Sequence, residues 1–276
     1  MSGSDFRLRW SGITHRGRFR KNNEDSFLGV TFDAEEFKYL GKVGEGALGT
    51  GDFVFAVSDG MGGANAGEYA SKIAVQKIAE LMPRSFWMGA SGFSSGRQDI
   101  LNEVVLHINQ EMLNMARHYE ECRGMGATLS MIWFTPEKAH FAHVGDSRIY
   151  FIPKGHKMVQ VTHDHSFVGR LFREGKLNER EAKTHPKRNE LDQVLGGGSS
   201  YVAPQLGEVA YGPGDFFVLV TDGITDGLAD RKIEQLVAAP PQTVAGKEPA
   251  HRLHEEALFN SGRDNLTAVV VEVLAG

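Results

Sequence analysis

The sequence predicts an α+β fold in which most of the sheet is antiparallel. Short apolar runs typical of strands come in groups joined by short turns, and pairs of helix-patterned segments separate those groups. A regular alternation of strands and helices would instead indicate a parallel sheet. No internal repeat and no linker-like composition divides the 276 residues, so we predict one domain over residues 1–276.

Composition indicates a water-soluble protein of the reducing cell interior. Apolar residues make up 41% of the chain and charged residues 24%, which is ordinary for a domain with a sizeable core. A net charge of −5 gives no reason to expect nucleic acid as a partner. Cys122 is the single cysteine and cannot form an internal disulfide. No apolar run resembles a signal peptide or a membrane span. We therefore expect a cytoplasmic monomer with no membrane partner.

In the first half of the chain, three predicted strands precede two long helices. Loose alternation or an apolar run indicates each strand, and apolar residues at helical spacing indicate each helix. The predicted strands are 7–15, 26–32 and 53–57. The predicted helices are 64–82, ended by Pro83, and 100–119. We interpret the glycine-rich 41–51 and the Gly- and Ser-rich 85–98 as connecting loops. A G-x-G-x-x-G match in 41–51 precedes a strand, not a helix, so we reject a dinucleotide site.

The second half returns to strands and ends in short helices followed by a last strand. The predicted strands are 129–134, 139–144, 149–152, 216–220 and 266–273. One or two short helices are predicted within 167–183, and single helices at 231–239 and 250–261. His163-Asp164-His165 suits a metal motif, but we favour a helix start capped by Thr162 or Asp164. Because 184–200 is polar and contains glycines, we expect residues 163–200 to form a mobile flap beside the functional site.

Acidic side chains recur where the predicted strands begin or end. They are Glu24, Asp25, Asp59, Asp146, Asp222 and Asp264. One Asp-Gly pair is more often a plain turn, but the repetition favours a shared site. If these boundaries converge, the carboxylates need cations to balance their charge, and oxygen-only ligands favour Mg²⁺ or Mn²⁺ over zinc. Two such ions can polarise a phosphoryl oxygen and activate water, which is the chemistry of phosphate-ester hydrolysis.

A basic loop precedes the first pair of carboxylates. Alone, 16–21 reads as a solvated turn, whereas beside a phosphate site the planar guanidinium of Arg20 would hold the phosphate.

Five motifs in this order carry a family resemblance. They are Arg20-Lys21-Asn22-Asn23-Glu24-Asp25, Asp59-Gly60-Met61-Gly62-Gly63, Gly145-Asp146-Ser147-Arg148, Thr221-Asp222-Gly223 and Asp264-Asn265-Leu266-Thr267. From about residue 13 to 273 the chain resembles the metal-dependent protein phosphatases, the protein phosphatase 2C-like family, in its bacterial branch. The resemblance implies a central antiparallel β-sandwich flanked by pairs of helices, in four layers (αββα). It also implies a binuclear Mg²⁺ or Mn²⁺ centre that hydrolyses phosphoserine and phosphothreonine in proteins phosphorylated by Ser/Thr kinases.

The same resemblance implies a role for each motif residue. Asp59 would bridge the two ions, with the Gly60 carbonyl on one ion and Asp222 and Asp264 on the other. Glu24 and Asp25 would act mainly through bound waters, and Arg20 would bind the substrate phosphate. Asp146 and Asp222 match the pair that binds an additional, weaker metal in bacterial members.

Two residues depart from the family pattern. Met61 stands where many eukaryotic members have a histidine thought to protonate the leaving group, which leaves the general acid open, with a water on a metal as the first candidate. Thr221 replaces the commoner serine, a change we expect to be harmless.

Three other functions are possible interpretations of the sequence: a regulator that dephosphorylates one anti-sigma-factor antagonist, a catalytically dead phosphoprotein-binding member, and a metal-dependent nuclease. No attached sensor or membrane segment is visible, every matched carboxylate is present, and a basic surface is missing, so we rank all three lower.

Overall fold

Two antiparallel β-sheets lie face to face, and helices cover the outer face of each sheet. The computed structural model describes residues 6–33, 35–49, 51–62, 66–90 and 96–276. Within these residues the predicted α+β class and the four-layer αββα arrangement are both confirmed.

Strands account for most of the two inner layers. They are β1 (Phe6–His15), β2 (Asp25–Phe32), β3 (Phe37–Tyr39), β4 (Val43–Ala47), β5 (Asp52–Met61), β6 (Gly126–Ala127), β7 (Leu129–Phe134), β8 (Ala139–Val144), β9 (Arg148–Ile152), β10 (Val159–Gln160), β11 (Leu195–Gly196), β12 (Gln205–Val209), β13 (Phe216–Val220) and β14 (Leu266–Ala275). The helices are α1 (Ala66–Ala90), α2 (Arg97–His118), α3 (Phe167–Arg173), α4 (Glu179–Thr184), α5 (Asp222–Gly227), α6 (Asp230–Ala238) and α7 (Pro249–Asn260). A 3₁₀ turn spans Glu120–Cys122.

The first and last strands of the chain are neighbours in one sheet. That sheet runs β10-β9-β13-β14-β1-β4, and β1 pairs with β14 along its full length, from Phe6 opposite Ala275 to His15 opposite Leu266. The other sheet runs β11-β6-β5-β7-β8-β12, with β2 joined to β5 and β3 joined to β2. Each sheet therefore combines consecutive strands, such as β9 with β10 and β7 with β8, with strands that are distant in sequence, such as β1 with β14.

Three apolar clusters hold the four layers together. Between the sheets, aromatic rings pack edge to face, with 5.1 Å between the ring centroids of Phe134 and Phe217. Helices α1 and α2 cover one sheet, and α5, α6 and α7 cover the other. Strands between two apolar layers are buried on both faces, which explains why β7 and β13 read as continuous apolar runs rather than as alternating patterns.

The prediction that Pro83 ends the first long helix is wrong. Helix α1 continues through Pro83 to Ala90, so the predicted loop 85–98 is helical at its start, and its end belongs to α2, which begins at Arg97. Pro83 removes one backbone hydrogen bond, but the turn before it is fixed on the sheet by the buried side chains of Ile78 and Met82. Residues 91–95 and the predicted start at Ala64 lie outside the described residues.

The segment 41–51 is not simply a connecting loop, because β4 pairs with β1 at the sheet edge. A Cβ on Gly44 would lie 2.4 Å from the Trp10 ring, so the glycine makes room for the indole rather than breaking the strand.

Several details of the second half differ from the sequence prediction, which lacks the strands β10, β11 and β12. The N-cap of α3 is Ser166, whose Oγ accepts a hydrogen bond from the Gly169 N–H at 3.0 Å, and not Thr162 or Asp164. Helix α5 follows directly on β13 and was not predicted. In the part of the chain that is described, no helix has the length and apolarity needed to cross a bilayer.

Candidate active site

Strand pairing places the first two carboxylates opposite each other. In the antiparallel pair β2–β5, Asp25 is the register partner of Asp59. Asp25 opens β2, whereas Asp59 lies inside β5, which continues to Met61. The expected position of Asp59 at a strand end is therefore wrong, but the register still brings both side chains to the same edge of the sandwich.

Asp25 is the most deeply buried carboxylate of the cluster, with 5% of its surface exposed. Thr221 donates a hydrogen bond from its Oγ1 to Asp25 Oδ2 at 2.8 Å. Burial outweighs the stabilising effect of the Thr267 and Thr221 hydroxyls and raises the pKa of Asp25 to about 7. The other oxygen, Oδ1, is buried and finds no hydrogen-bond partner among the described residues.

Asp222 joins the two sheets at this edge. It is the first residue of α5, immediately after β13, and not the end of a strand. Its carboxyl group lies beside that of Asp59, and its Oδ1 is buried without a hydrogen-bond partner among the described residues. Burial and the neighbouring Asp264 raise the pKa of Asp222 to about 7. Burial and Asp25 raise the pKa of Asp59 well above its ordinary value.

A hydroxyl pair links Asp59 to the turn that carries Asp146. The Asp59 N–H donates to Thr128 Oγ1 at 2.9 Å, and Thr128 Oγ1 lies 2.6 Å from Ser147 Oγ. Burial, followed by the charge of Asp222, raises the pKa of Asp146 well above its ordinary value. Asp146 therefore belongs to the same acidic cluster, on the side nearest Asp222.

Glu24 and Gly60 meet the start of α1. A Cβ on Gly60 would lie 1.8 Å from the Gly67 carbonyl oxygen, so only glycine fits where β5 passes the helix. A Cβ on Gly67 would lie 2.9 Å from Glu24 Oε1, which places that carboxylate at the same junction. Burial raises the pKa of Glu24 as well.

Arg20 and Asp264 form an ion pair at the rim of the cluster. Arg20 Nη2 donates to Asp264 Oδ2 at 2.6 Å, and the guanidinium side chain is half exposed. This contact raises the pKa of Arg20 above its ordinary value. Arg20 thus pairs directly with a carboxylate at the rim of the acidic cluster.

The donor set fits divalent cations. The buried carboxylates raise one another's pKa, and a hard cation would balance their negative charge. Asp25 and Asp222 also have unpartnered oxygens, which suit such a cation as ligands. Across the described residues, no three acidic, histidine or cysteine side chains already surround one point at ligating distance. Asp25 is instead bonded to Thr221, and Asp264 to Arg20. Cation binding would therefore replace these contacts and balance the charge of the buried carboxylates.

A cavity of about 370 Å³ opens beside the cluster. Asp146 and Asp222 line one side, and side chains of residues 163–200, including His163, Phe172 and Arg188, line the other. Arg148 anchors this segment because its guanidinium donates to both oxygens of Asp164, at 2.9 and 2.7 Å. The segment predicted to be a flap therefore does lie beside the acidic cluster.

Several residues that support the cluster were missed by sequence reasoning. Thr221 precedes Asp222 and Asn265 follows Asp264, so their positions within the motifs could have identified both residues. Thr128, Ser147 and Gly67 are recognisable only from the packing. All the sequence-predicted site residues lie in or at the rim of the cluster, and none is displaced to another part of the fold.

Comparison with known proteins agrees with this geometry. A family model described as Protein phosphatase 2C matches residues 44–257. The serine/threonine protein phosphatase PstP of Mycobacterium tuberculosis is 32% identical over 97% of this chain, but the chain spans only 45% of that protein. Protein phosphatase PhpP of Streptococcus pneumoniae is 31% identical, and the alignment covers 95% of this chain and 96% of PhpP.

A solved structure shows the same fold. The catalytic domain of a serine/threonine phosphatase PstP, in complex with two manganese ions, superposes with a TM-score of 0.74 and 30% identity. The superposition covers 98% of this chain and 99% of that domain. The sequence motifs, the four-layer fold and the acidic cluster at one edge of the sandwich lead to the same conclusion: this chain belongs to the protein phosphatase 2C family.

Proposed function

We propose that this chain is a metal-dependent protein phosphatase that hydrolyses phosphoserine and phosphothreonine in proteins. The observation that carries the proposal is the buried cluster of carboxylates with raised pKa, at the edge where both sheets meet. The named relatives are protein phosphatases, and one was solved with two manganese ions. We infer that this cluster would hold the same number of Mg²⁺ or Mn²⁺ ions.

Each member of the cluster has a proposed task. Asp59, Asp222 and Asp264 and the Gly60 carbonyl would hold the two ions, with Glu24 and Asp25 in support. Asp146 would form, with Asp222, a weaker third position. When bound, such ions polarise the phosphoryl group and lower the pKa of a water molecule so that it can attack phosphorus.

Arg20 would bind and orient the substrate phosphate. Its guanidinium is half exposed and already pairs with a carboxylate, so a phosphate would take over donors that now face Asp264. The planar fork fits two phosphate oxygens at once, which an ammonium group cannot do.

The proton for the leaving serine or threonine must come from a group other than Met61. Met61 lies at the end of β5, opposite Gly126, and its thioether has no proton to give. We propose that a water molecule in the cavity supplies it.

Substrate choice would depend on the flap, residues 163–200. These residues form one wall of the cavity next to Asp146 and Asp222, where the parts of a protein substrate that flank the phosphorylated residue would lie. Substrates of Ser/Thr kinases are the partners we propose, and we propose that residues 1–276 act as one catalytic domain and as a monomer.

A direct assay tests the function. Purified protein, stripped of metal and then supplied with Mn²⁺ or Mg²⁺, should release phosphate from phosphoserine and phosphothreonine peptides but not from phosphotyrosine peptides. A chelator should abolish release. Asp59→Asn, in which a neutral amide of equal size replaces a cluster carboxylate, is the matched control and should be inactive. Full activity in the metal-stripped protein, or in Asp59→Asn, would overturn the proposal.

A further inference from the structure

Asn265 joins both ends of the loop that carries Arg20, which spans residues 16–22. Its side chain is buried, with 3% of the residue exposed. Asn265 Nδ2 donates hydrogen bonds to the Arg16 carbonyl at 2.9 Å and to the Asn22 carbonyl at 3.0 Å. Its Oδ1 accepts a hydrogen bond from the Glu24 N–H at 2.7 Å. One amide therefore fixes the start of the loop, its end and the residue just beyond it.

The loop has little else to hold its shape. Phe19 at the tip is 71% exposed and lacks apolar packing, while Arg20 is half exposed and pairs with Asp264 at 2.6 Å. The remaining anchors also lie close to Asn265. The Arg18 N–H donates to the Gly262 carbonyl at 2.8 Å, and a Cβ on Gly17 would lie 2.1 Å from the Asp264 carbonyl oxygen. The loop is thus pressed onto residues 262–265, with the Asn265 side chain as its only side-chain clamp at both ends among the described contacts.

We propose that Asn265 is a positioning residue that holds Arg20 in place to bind the substrate phosphate. The role of Arg20 in this inference rests on the proposed function. Because Asn265 directly follows Asp264, the clamp also fixes the distance between the phosphate-binding arginine and a carboxylate of the acidic cluster. Asn265 itself touches neither a reacting atom nor the guanidinium.

An amide is required at this position. The Arg16 and Asn22 carbonyls accept hydrogen bonds from this side chain and the Glu24 N–H donates one to it, so the side chain must offer both donors and an acceptor. Aspartate has the same shape and can accept from Glu24 but cannot donate to Arg16 or Asn22 when ionised. Alanine loses all three hydrogen bonds.

The test compares Asn265→Ala and Asn265→Asp with the wild type and with Asn260→Ala. Asn260 is a suitable control because it is exposed at the end of α7 and gives a single hydrogen bond to the Gly227 carbonyl. In the two Asn265 variants, KM for a phosphothreonine peptide should rise about tenfold, with a smaller change in kcat. A tenfold rise corresponds to losing about one charge-assisted hydrogen bond between Arg20 and the phosphate. Asn260→Ala should leave both constants unchanged.

A second readout needs no catalytic activity. The loop contains Arg16, Arg18, Arg20 and Lys21, which are all trypsin sites. Native-state cleavage in the loop should be several-fold faster in the Asn265 variants than in the wild type or in Asn260→Ala, because loosened segments are cut first. An Arg20→Ala background should remove the effect of Asn265→Ala on KM, since the two residues act through one interaction.

The outcomes separate the inference from the proposed function. A folded Asn265→Asp protein with wild-type KM and wild-type trypsin cleavage would overturn the positioning role. A purely structural role would reduce the active fraction at an unchanged KM, and that result would also overturn it. If Asn265→Ala fails to fold, Asn265→Asp decides alone. Wild-type protein without phosphatase activity would refute the proposed function, and trypsin cleavage would still report whether Asn265 holds the loop.

Discussion

Catalysis and the stability of the metal-free protein place opposite demands on the carboxyl group of Asp222, because a metal ligand must be ionised and a buried carboxyl group is more stable when protonated. The pKa of Asp222 is raised to about 7 by burial and by Asp264, so ionisation at neutral pH costs folding free energy. Asp222→Asn should reduce kcat on a phosphopeptide by at least about a hundredfold, because it removes a ligand of the proposed ions. In the presence of chelator at about pH 8, the same variant should have a higher Tm than the wild type.

Asp226→Asn is the matched control for this prediction. Asp226 lies on the same helix, lines the same cavity and also raises the pKa of Asp222, but it is not one of the six motif carboxylates. We expect it to keep most of its activity. Wild-type turnover in Asp222→Asn, or a lower Tm in chelator, would contradict the assignment.

Arg20 gives a second prediction for a single residue. Arg20→Ala should raise KM for phosphopeptides by about tenfold or more and lower kcat less, because the guanidinium contacts phosphate in both the ground state and the transition state. Arg20→Lys should recover only part of the loss, since a point charge lacks the fork. Steady-state kinetics on both variants decide the matter, and an unchanged KM in Arg20→Ala would show that the arginine pairs only with Asp264.

The sequence predicted the acidic members of the site but not the neutral residues that orient them. Carboxylates beside glycines at strand boundaries form a recognisable pattern within a few residues. The hydrogen bonds from Thr221 to Asp25 and from Glu24 to Asn265 join residues that are 196 and 241 positions apart. Such partners depend on which strands lie side by side, and local patterns carry no information about that.

At the level of elements, long apolar runs were predicted well, and segments held by tertiary contacts were predicted poorly. Strands β7 and β8 match the predicted 129–134 and 139–144 in both position and length. Helix α1 was cut short at Pro83, because local propensity says nothing about the buried Ile78 and Met82 that hold the helix on the sheet. The sequence does not predict strand β4, because the space that Gly44 leaves for Trp10 is visible only in the folded chain.

The flap, residues 163–200, contains α3 and α4, and its anchoring by Arg148 can be tested by substitution. Arg148→Lys keeps the charge but loses the fork that holds both oxygens of Asp164. We expect faster hydrogen exchange in 163–200 and a several-fold loss of kcat/KM on a phosphoprotein, because this segment forms one wall of the cavity. Turnover of a small aryl phosphate should change little. Equal losses on both substrates would mean that the segment supports the acidic cluster itself rather than substrate choice.

Over the whole molecule, the acidic cluster should make the stability of the metal-free protein depend on pH. The folded pKa values of Asp25 and Asp222 are about 7, whereas these groups ionise near pH 3.8 in the unfolded chain. Their contribution is therefore complete below about pH 4 and is lost as the pH rises through about 7. With chelator present, Tm should fall between about pH 4 and pH 7 and level off above that range. Mn²⁺ should raise Tm more at the higher pH, where cations replace protons.

Thermal unfolding with and without Mn²⁺ at several pH values checks this prediction. Asp222→Asn should show a smaller fall of Tm in chelator, since one titrating group is gone. A wild-type Tm in chelator that stays constant or rises over this range would show that the carboxylates are not held in their protonated form.

The pairing of β1 with β14 also sets the order of events while the protein is being made. The ribosome releases β1 first and β14 last, and β1 lies in its sheet between β14 and β4. Until Leu266 to Ala275 have left the exit tunnel, the first strand lacks its main partner, and the Arg20 loop lacks residues 262–265 to rest on. Pairings this distant in sequence also form slowly. A nascent chain should therefore stay without phosphatase activity until synthesis of β14 is complete, however long translation pauses upstream.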